Sequence, residues 1–571
     1  VNRWRAAWAS PLRRHPTFLL RKIRERLRGH RRTPPAPAPQ TLAYQLPVDW
    51  SGHLQPWLAS IPWRKGPSPF NRVFGQDFPE ELLFRHSRDG PSDQALGLEA
   101  DIKLGWEFSR AYPVFLRAAT DPGKVGPSSE FLRQWLQANK AEEAVSRQCP
   151  MEVAIRMVNW ILADSVHKGI LSATLGSSLW EKELWRSGDF LWKNLEARWF
   201  PSNHYLAGLL GLWVLGSTFP FEKKARIWKR FADREFPQAL LAQTRTDGGL
   251  RESSLRYHAY VTEMALLFRY LRGEPFSAPA ELRLLKMCQV VADFHDASGD
   301  VFPFGDDDGG RVLNVDAAST LGRADVLLGL AERIWGRRFH PAPTALYNKS
   351  GWWVQREEGF EVALDYGGVG LWGLGAHAHN DQLSFCLQWQ GVPVVVDRGT
   401  YLYTGDSKAR QSFRSALSHN APRLGDQEPL PLPHELFALP GPDQAGPLSQ
   451  HEKHAPIFHN HAHTISRQID IRPGAVLVRD KWRFPKPDPI RWAFYFHPQI
   501  RPTQDSSGWV LEIPSVGRLR FMVSPNFVLH SKSCLFSSSY GRAEPCYKLE
   551  VDAPATSSGE ASWEFRVEES S

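Results

Sequence analysis

"PTALYNKSGWWVQREEG", residues 343–359, is where the chain changes its period. Upstream of it, apolar residues recur at helical spacing in "PMEVAIRMVNWILADSVHKGIL" (150–171) and "NHYLAGLLGLWVLGSTF" (203–219). They do so again in "EKKARIWKRFADREFPQALLAQ" (222–243) and "RYHAYVTEMALLFRYLRG" (256–273). That spacing lays one apolar stripe along a helix. Residues 75–340 read as helix after helix, separated by Gly, Pro or Asp, and stacked antiparallel pairs are the natural packing. Downstream, "FEVALDYGG", "LSFCLQWQGVPVVVDRG", "AHTISRQIDIRPGAVLVRDKWRF", "IRWAFYFHP" and "RLRFMVSP" alternate or run apolar in short blocks between turn residues. That is strand texture, and it predicts an antiparallel β domain.

A chain of 571 residues is too long for one core. The expected division is a basic arm with a Pro-rich linker over 1–45, a helical domain over 46–345 and a β domain over 346–571. The arm holds "RRHPTFLLRKIRERLRGHRR" and the linker "TPPAPAPQ"; both read as solvated segments. The net charge of +8 suits a polyanionic partner. Much of it sits in the arm and no nucleic-acid-binding motif is present, so nucleic acid is not the expected partner. The 23 Trp suggest sugar-stacking surfaces as well as core, with core filling the plainer reading of any single one. Five Cys without a CxxC spacing argue against a disulfide framework and a zinc knuckle, and leave open one bridge, Cys534 with Cys546. No apolar run reaches transmembrane length. No signal-peptide core is visible, which makes the cytoplasm the default address and the periplasm or secretion the alternatives. Oligomeric state is not legible.

Four clusters carry polar residues that the periodicity does not ask for. "FPSNHYLAG" puts Asn203 and His204 at the start of an apolar helix, where a capping role is the plain reading. "TDGGLRESSLRYHAYVTE" carries Glu252, Arg256, Tyr257, His258 and Tyr260 after a Gly-Gly turn. "FPFGDDDGGR" (302–311) reads as a solvated acidic turn, with cation binding as the alternative. "GAHAHNDQLSF" (375–385) places His377 and His379 one residue apart where a strand is expected, so that both side chains would leave one face. Asp397 follows at a strand end, and His419 lies within "SHN". Two His and one Asp suit a divalent ion, zinc first.

Taken together, "DIKLGWEFSR", "MEVAIRMVNW", "NHYLAG", "DGGLRESSLRYHAY", "FGDDDGGR", "HAHNDQLSF", "VVVDRGTYLY" and "RSALSHNAP" resemble the heparinase II/III-like polysaccharide lyases across residues 95–480. The resemblance implies an (α/α) toroid of helix pairs followed by an antiparallel β-sandwich. It implies β-elimination on a uronic-acid polysaccharide: a glycosaminoglycan, alginate or a bacterial exopolysaccharide. Asn203 and His204 would neutralise the uronate carboxylate. Tyr257 would be base, acid or both, and His377 the second proton-transfer group. His379, Asp397 and His419 would hold one metal ion, with manganese or calcium as alternatives to zinc. Trp106, Glu107, Arg110, Arg156, Asn159, Glu252, Arg256, Tyr260, Tyr401, Tyr403 and Arg414 are the candidate substrate contacts. Two other readings share these residues: a uronyl C5-epimerase on the same scaffold, and a non-catalytic polysaccharide-binding or assembly protein.

Overall fold

The helical texture becomes helices where the apolar stripe is broad enough to be buried. In the computed structural model these are α1 (Val48–Ala59), α2 (Ile102–Ser109), α3 (Tyr112–Thr120), α4 (Gly126–Ala138), α5 (Pro150–Val166), α6 (Ile170–Leu175) and α7 (Ser177–Asn194). They continue as α8 (Asn203–Ser217), α9 (Lys223–Gln243), α10 (Leu255–Arg272), α11 (Ala278–Asp293), α12 (Val315–Ala318) and α13 (Arg323–Trp335). The structure describes residues 38, 42–63, 102–139, 145–197, 201–446, 448–449, 456–460, 464–506, 508–523 and 527–568, together with a two-residue strand pair at 72–73 and 76–77. The basic arm and all but Ala38 of the Pro-rich linker lie outside the described residues.

The chain forms two units. The first takes residues up to 244 with 259–288 and 310–338; the second takes 245–258, 289–309 and 339–571. Two stretches of the helical half thus belong to the β unit, which one cut along the chain does not express.

In the first unit α8 packs against α5 on one side and α9 on another. Every α8 residue except His204 is buried, as an apolar-all-round helix requires. Close approach to α5 depends on Gly211: a Cβ there would come within 2.6 Å of the Ala154 Cβ. Tryptophans fill this core, with Trp135, Trp160, Trp180 and Trp228 fully enclosed; these serve packing rather than sugar stacking.

In the second unit β1 (Thr344–Tyr347), β2 (Trp352–Glu357), β3 (Phe360–Asp365), β4 (Ser384–Trp389) and β5 (Val392–Val395) form an antiparallel meander in chain order. A larger antiparallel sheet holds β6 (Arg423–Leu424), β7 (Leu448–Ser449), β8 (Ile457–His459), β9 (Ile465–Arg472), β10 (Ala475–Tyr495), β11 (Thr503–Asp505), β12 (Gly508–Ile513), β13 (Gly517–Val523), β14 (Val528–Ser539) and β15 (Arg542–Val567). Its order is β11-β12-β13-β15-β10-β9-β8-β7, with β14 on β15 and β6 on β10. The two sheets share one core. Trp353, Val362, Leu364 and Leu387 from the meander pack with Val476, Phe494, Leu549 and Phe565 from the larger sheet, which is sandwich packing. Cys534 and Cys546 face each other across β14 and β15 as free thiols. Among the described residues no helix is long and apolar enough to cross a membrane.

Candidate active site

The stretch that carries the histidine pair is not a strand. Residues 375–383 form a loop, and β4 begins only at Ser384. Left-handed backbone at Gly375 (φ 63°) and Leu383 (φ 69°) turns the chain out of strand geometry. The two histidines nevertheless face the same way, because one carboxylate holds both. Asp306 accepts from His377 Nδ1 at 3.1 Å through Oδ2 and from His379 Nε2 at 2.8 Å through Oδ1. Gly305 makes this possible: a Cβ there would meet the Ser253 carbonyl at 2.6 Å and the His377 carbonyl at 2.9 Å. The expectation of a solvated acidic turn is therefore corrected at Asp306, which is fully buried.

Arg410, on α14 (Ser407–Arg414), closes the arrangement. Its Nη1 and Nη2 both donate to Asp306, the second at 2.7 Å. Burial opposes the charge on Asp306, but Arg410 and then the two histidines hold its carboxyl well below the usual range. The Arg410 guanidinium lies 4.6 Å over the Tyr403 ring. The Tyr403 hydroxyl is 3.2 Å from the Tyr257 hydroxyl. Tyr257, in the first turn of α10, stacks on His377 with ring centroids 3.7 Å apart. Glu252 Oε2 is 3.4 Å from His377 Nε2. Burial, then Asp308, pushes the Tyr257 phenol well above its ordinary value, so it carries its proton. All these residues belong to the second unit. They form a proton-bearing phenol against an imidazole flanked by two carboxylates, which is acid–base equipment.

Behind His377 lies a second cluster. Donor atoms of His379, Asp381 and His419 lie within 4.8 Å of one another, all buried. His379 Nδ1 and His419 Nε2 have no hydrogen-bond partner. Two orphaned imidazole nitrogens beside a carboxylate are a donor set for a divalent ion. The carboxylate differs from the one expected: Asp397 instead accepts from His419 Nδ1 at 2.7 Å and from the Gly399 amide at 2.9 Å. It orients the histidine, as carboxylates behind metal-bound imidazoles do. Burial, the largest influence, draws His379 down to about 4, keeping its imidazole neutral and available.

In the first unit His204 stands in the opening turn of α8, beside buried Asn203. Ser202 precedes the helix without a side-chain cap. His204 Nδ1 pairs with Glu196 Oε2 at 2.7 Å. Burial pulls the imidazole down, yet Glu196 and the Cys149 thiol more than offset it and hold His204 well above its ordinary value.

The candidate substrate contacts divide sharply. Glu107, Arg110, Arg156, Asn159 and Tyr260 are buried in the first unit, where Arg156 Nε and Nη2 and Asn159 Oδ1 have no hydrogen-bond partner among the described residues. Arg110 pairs with Glu152 at 2.5 Å and with Glu107 at 2.8 Å. Arg156 donates to the Ser109 and Ser146 carbonyls, Asn159 to those of Ile155 and Val312, and the Tyr260 hydroxyl meets Met151 Sδ at 3.7 Å. These side chains hold helices together and offer a sugar no surface; Trp106 alone of that group is part-exposed. In the second unit Arg256 is enclosed by Asp296, Asp300 and Asp307, and Arg414 donates to the Leu436 and Ala438 carbonyls. Glu252 and Tyr403 join the Tyr257 group, while half-buried Tyr401 packs on Phe413. Asp306, Arg410, Asp381 and Glu196 are the residues that motif reading did not single out. Asp306 lay inside a quoted motif, but its partners are 71 or more positions away.

Residues 340–564 match the family model "Heparinase II/III-like, C-terminal". A crystal structure of heparinase III aligns with a TM-score of 0.65 at 13% identity, over 95% of this chain and 88% of that one. A mutant of heparan sulfate lyase HepC from Pedobacter heparinus aligns at 0.58 and 14%, over 91% and 88%. The chondroitin AC lyase of Streptomyces coelicolor A3, in complex with chondroitin sulphate, aligns at 0.52 and 11%, over 92% and 83%. A search of curated proteins finds no match. The shared fold is an N-terminal helical toroid followed by antiparallel β-sheets. The chain therefore carries a heparinase II/III-like C-terminal domain over residues 340–564, within a fold it shares with these lyase structures.

Proposed function

We propose that this chain is a polysaccharide lyase that cleaves a uronic-acid-containing anionic polysaccharide by β-elimination. The observation that carries the reading is the Tyr257 phenol stacked 3.7 Å from a His377 imidazole held between Asp306 and Glu252. β-Elimination takes the C5 proton of a uronate and expels the C4 oxygen, so it needs one group to accept a proton and one to donate. Tyr257 enters protonated and serves as the acid toward the leaving oxygen; His377 is assigned the C5 proton. Asn203 and His204 are assigned the uronate carboxylate, whose neutralisation makes that proton acidic. His204 suits this because its surroundings favour the imidazolium.

His379, Asp381 and His419 would hold a divalent ion, with Asp397 orienting His419. Zinc is the ion that the nitrogen-rich donor set favours. When bound it would fix the 375–383 loop and supply positive charge beside the proton-transfer pair. The substrate class is a glycosaminoglycan, alginate or bacterial exopolysaccharide, in keeping with the chain's +8 charge.

The test is mass analysis of products from a panel of polyuronates. Elimination gives new non-reducing ends lighter by one water than hydrolysis would. Uncut chains with inverted C5 centres would point to an epimerase, and unchanged chains across the panel would remove the enzymatic reading.

A further inference from the structure

Within the first unit, three side chains of different donor chemistry converge. One donor atom each of Cys149, Glu196 and His204 lies within 4.8 Å of the others. We propose that these three residues form a second metal site, for a zinc-like thiophilic divalent cation, distinct from the histidine pair of the β unit.

Each donor is held by the fold. Cys149 is the residue before α5, and its carbonyl accepts the Val153 amide at 3.2 Å. His204 is in the first turn of α8, whose Gly211 brings that helix hard against Ala154 of α5. Glu196 lies in the segment between α7 and α8, tied to His204 Nδ1 at 2.7 Å. The separation of sulfur and imidazole is thus set by helix packing. Ligand atoms in a tetrahedral zinc shell, with bonds of about 2.0–2.3 Å, sit roughly 3.3–3.8 Å apart. Contraction from a 4.8 Å limit is within the reach of side-chain rotation.

The surroundings suit a cation that enters from one side. Cys149 is buried, whereas the His204 and Glu196 side chains keep 33% and 20% of their surface exposed. That leaves an entry path and an open coordination position. Glu152 is close enough to His204 to feel its charge, but is itself neutralised by Arg110. Metal displaces protons from its ligands, so binding strengthens as pH rises. If His204 also meets the uronate carboxylate, as proposed above, metal at this site inhibits the enzyme by removing it. That consequence rests on the functional reading; the binding does not.

The experiment is titration of the whole purified protein with Co2+, read as the thiolate-to-cobalt charge-transfer band in the near ultraviolet. The His379, Asp381 and His419 group has no sulfur and contributes nothing to this band. The proposal expects a saturable band whose full intensity corresponds to one thiolate-bound Co2+ per chain, absent in Cys149→Ser and kept in the Cys534→Ser/Cys546→Ser double variant. Glu196→Gln removes one of the three ligands and is expected to weaken Co2+ by at least ~10- to 100-fold, the range that already follows loss of an outer-shell partner. Unchanged melting temperatures establish that each variant is folded, and Glu196→Gln carries the test alone if Cys149→Ser is not. No band in the wild type would overturn the site, as would a band of equal strength in folded Cys149→Ser. In the first case Cys149, His204 and Glu196 are a hydrogen-bonded proton chain only.

Discussion

Tyr257 and Asp306 set the expectations at the residue scale. Tyr257→Phe keeps the ring that stacks on His377 and deletes the hydroxyl 3.2 Å from Tyr403. General acid–base groups are worth ~10²–10⁴-fold, and the loss should fall on kcat with KM little changed, because the hydroxyl acts in the transition state. Asp306→Asn leaves Arg410 buried without its counter-charge and unseats both histidines. Breaking such a buried pair costs about 3–5 kcal/mol, to be read as a lowered urea midpoint. His204 gives a pH prediction. Its raised pKa means the imidazolium is present below that value and lost as pH climbs through it. The alkaline limb of kcat/KM should therefore lie well above the ordinary histidine range, and Glu196→Gln should move it down. His377 and His379 were legible as a pair from their spacing alone. Asp306 was not, because a solvated "GDDDGG" turn and a buried carboxylate under two histidines are written with the same letters. Arg410 sat unmarked on a short amphipathic helix, and only the tertiary structure brings it to Asp306.

At the scale of elements, the change of period at residues 343–359 located both textures, since burial on one helical stripe and alternation across a pleated sheet leave different spacings. The helices over 150–166, 203–217, 223–243 and 255–272 fall where the apolar stripes ran, and strands occupy 360–365, 384–389, 465–472 and 475–495. What periodicity could not convey was the histidine loop, whose shape depends on left-handed residues and on contacts from afar. The β sheet supports that loop through one ion pair. Arg467 on β9 binds Asp480 on β10 at 2.7 Å and also donates to the Leu383 and Asn420 carbonyls, beside Asp381 and His419. Asp480 in turn accepts from the indoles of Trp492 and Trp563. Arg467→Met should therefore cost about 3–5 kcal/mol by leaving Asp480 buried and unpaired. Unlike a purely structural lesion, it should also weaken the metal bound by the histidine pair. Calorimetry with and without added zinc separates the two effects.

For the whole molecule, the expected pairing of a helical toroid with antiparallel sheets is the fold shared with the heparinase III and chondroitin AC lyase structures. The substrate was not legible at this scale: a charge of +8 asks for a polyanion without saying which. Metal bound only by the folded chain adds stability by mass action, about 2.7 kcal/mol at a hundredfold excess over Kd. Chelation should therefore lower the melting temperature of the wild type, and His379→Ala should melt low and keep only the response to chelator and metal that the Cys149, Glu196 and His204 site supplies. The proposed reaction is β-elimination by Tyr257 and His377. Its most direct measurement is the ultraviolet absorbance of C4–C5 unsaturated ends, followed over time on the best polyuronate for the wild type and Tyr257→Phe side by side. A steady rise is expected for the wild type and a rate at least ~10²-fold lower for the variant. Cleavage without ultraviolet-absorbing ends, or equal rates for the two proteins, would contradict it.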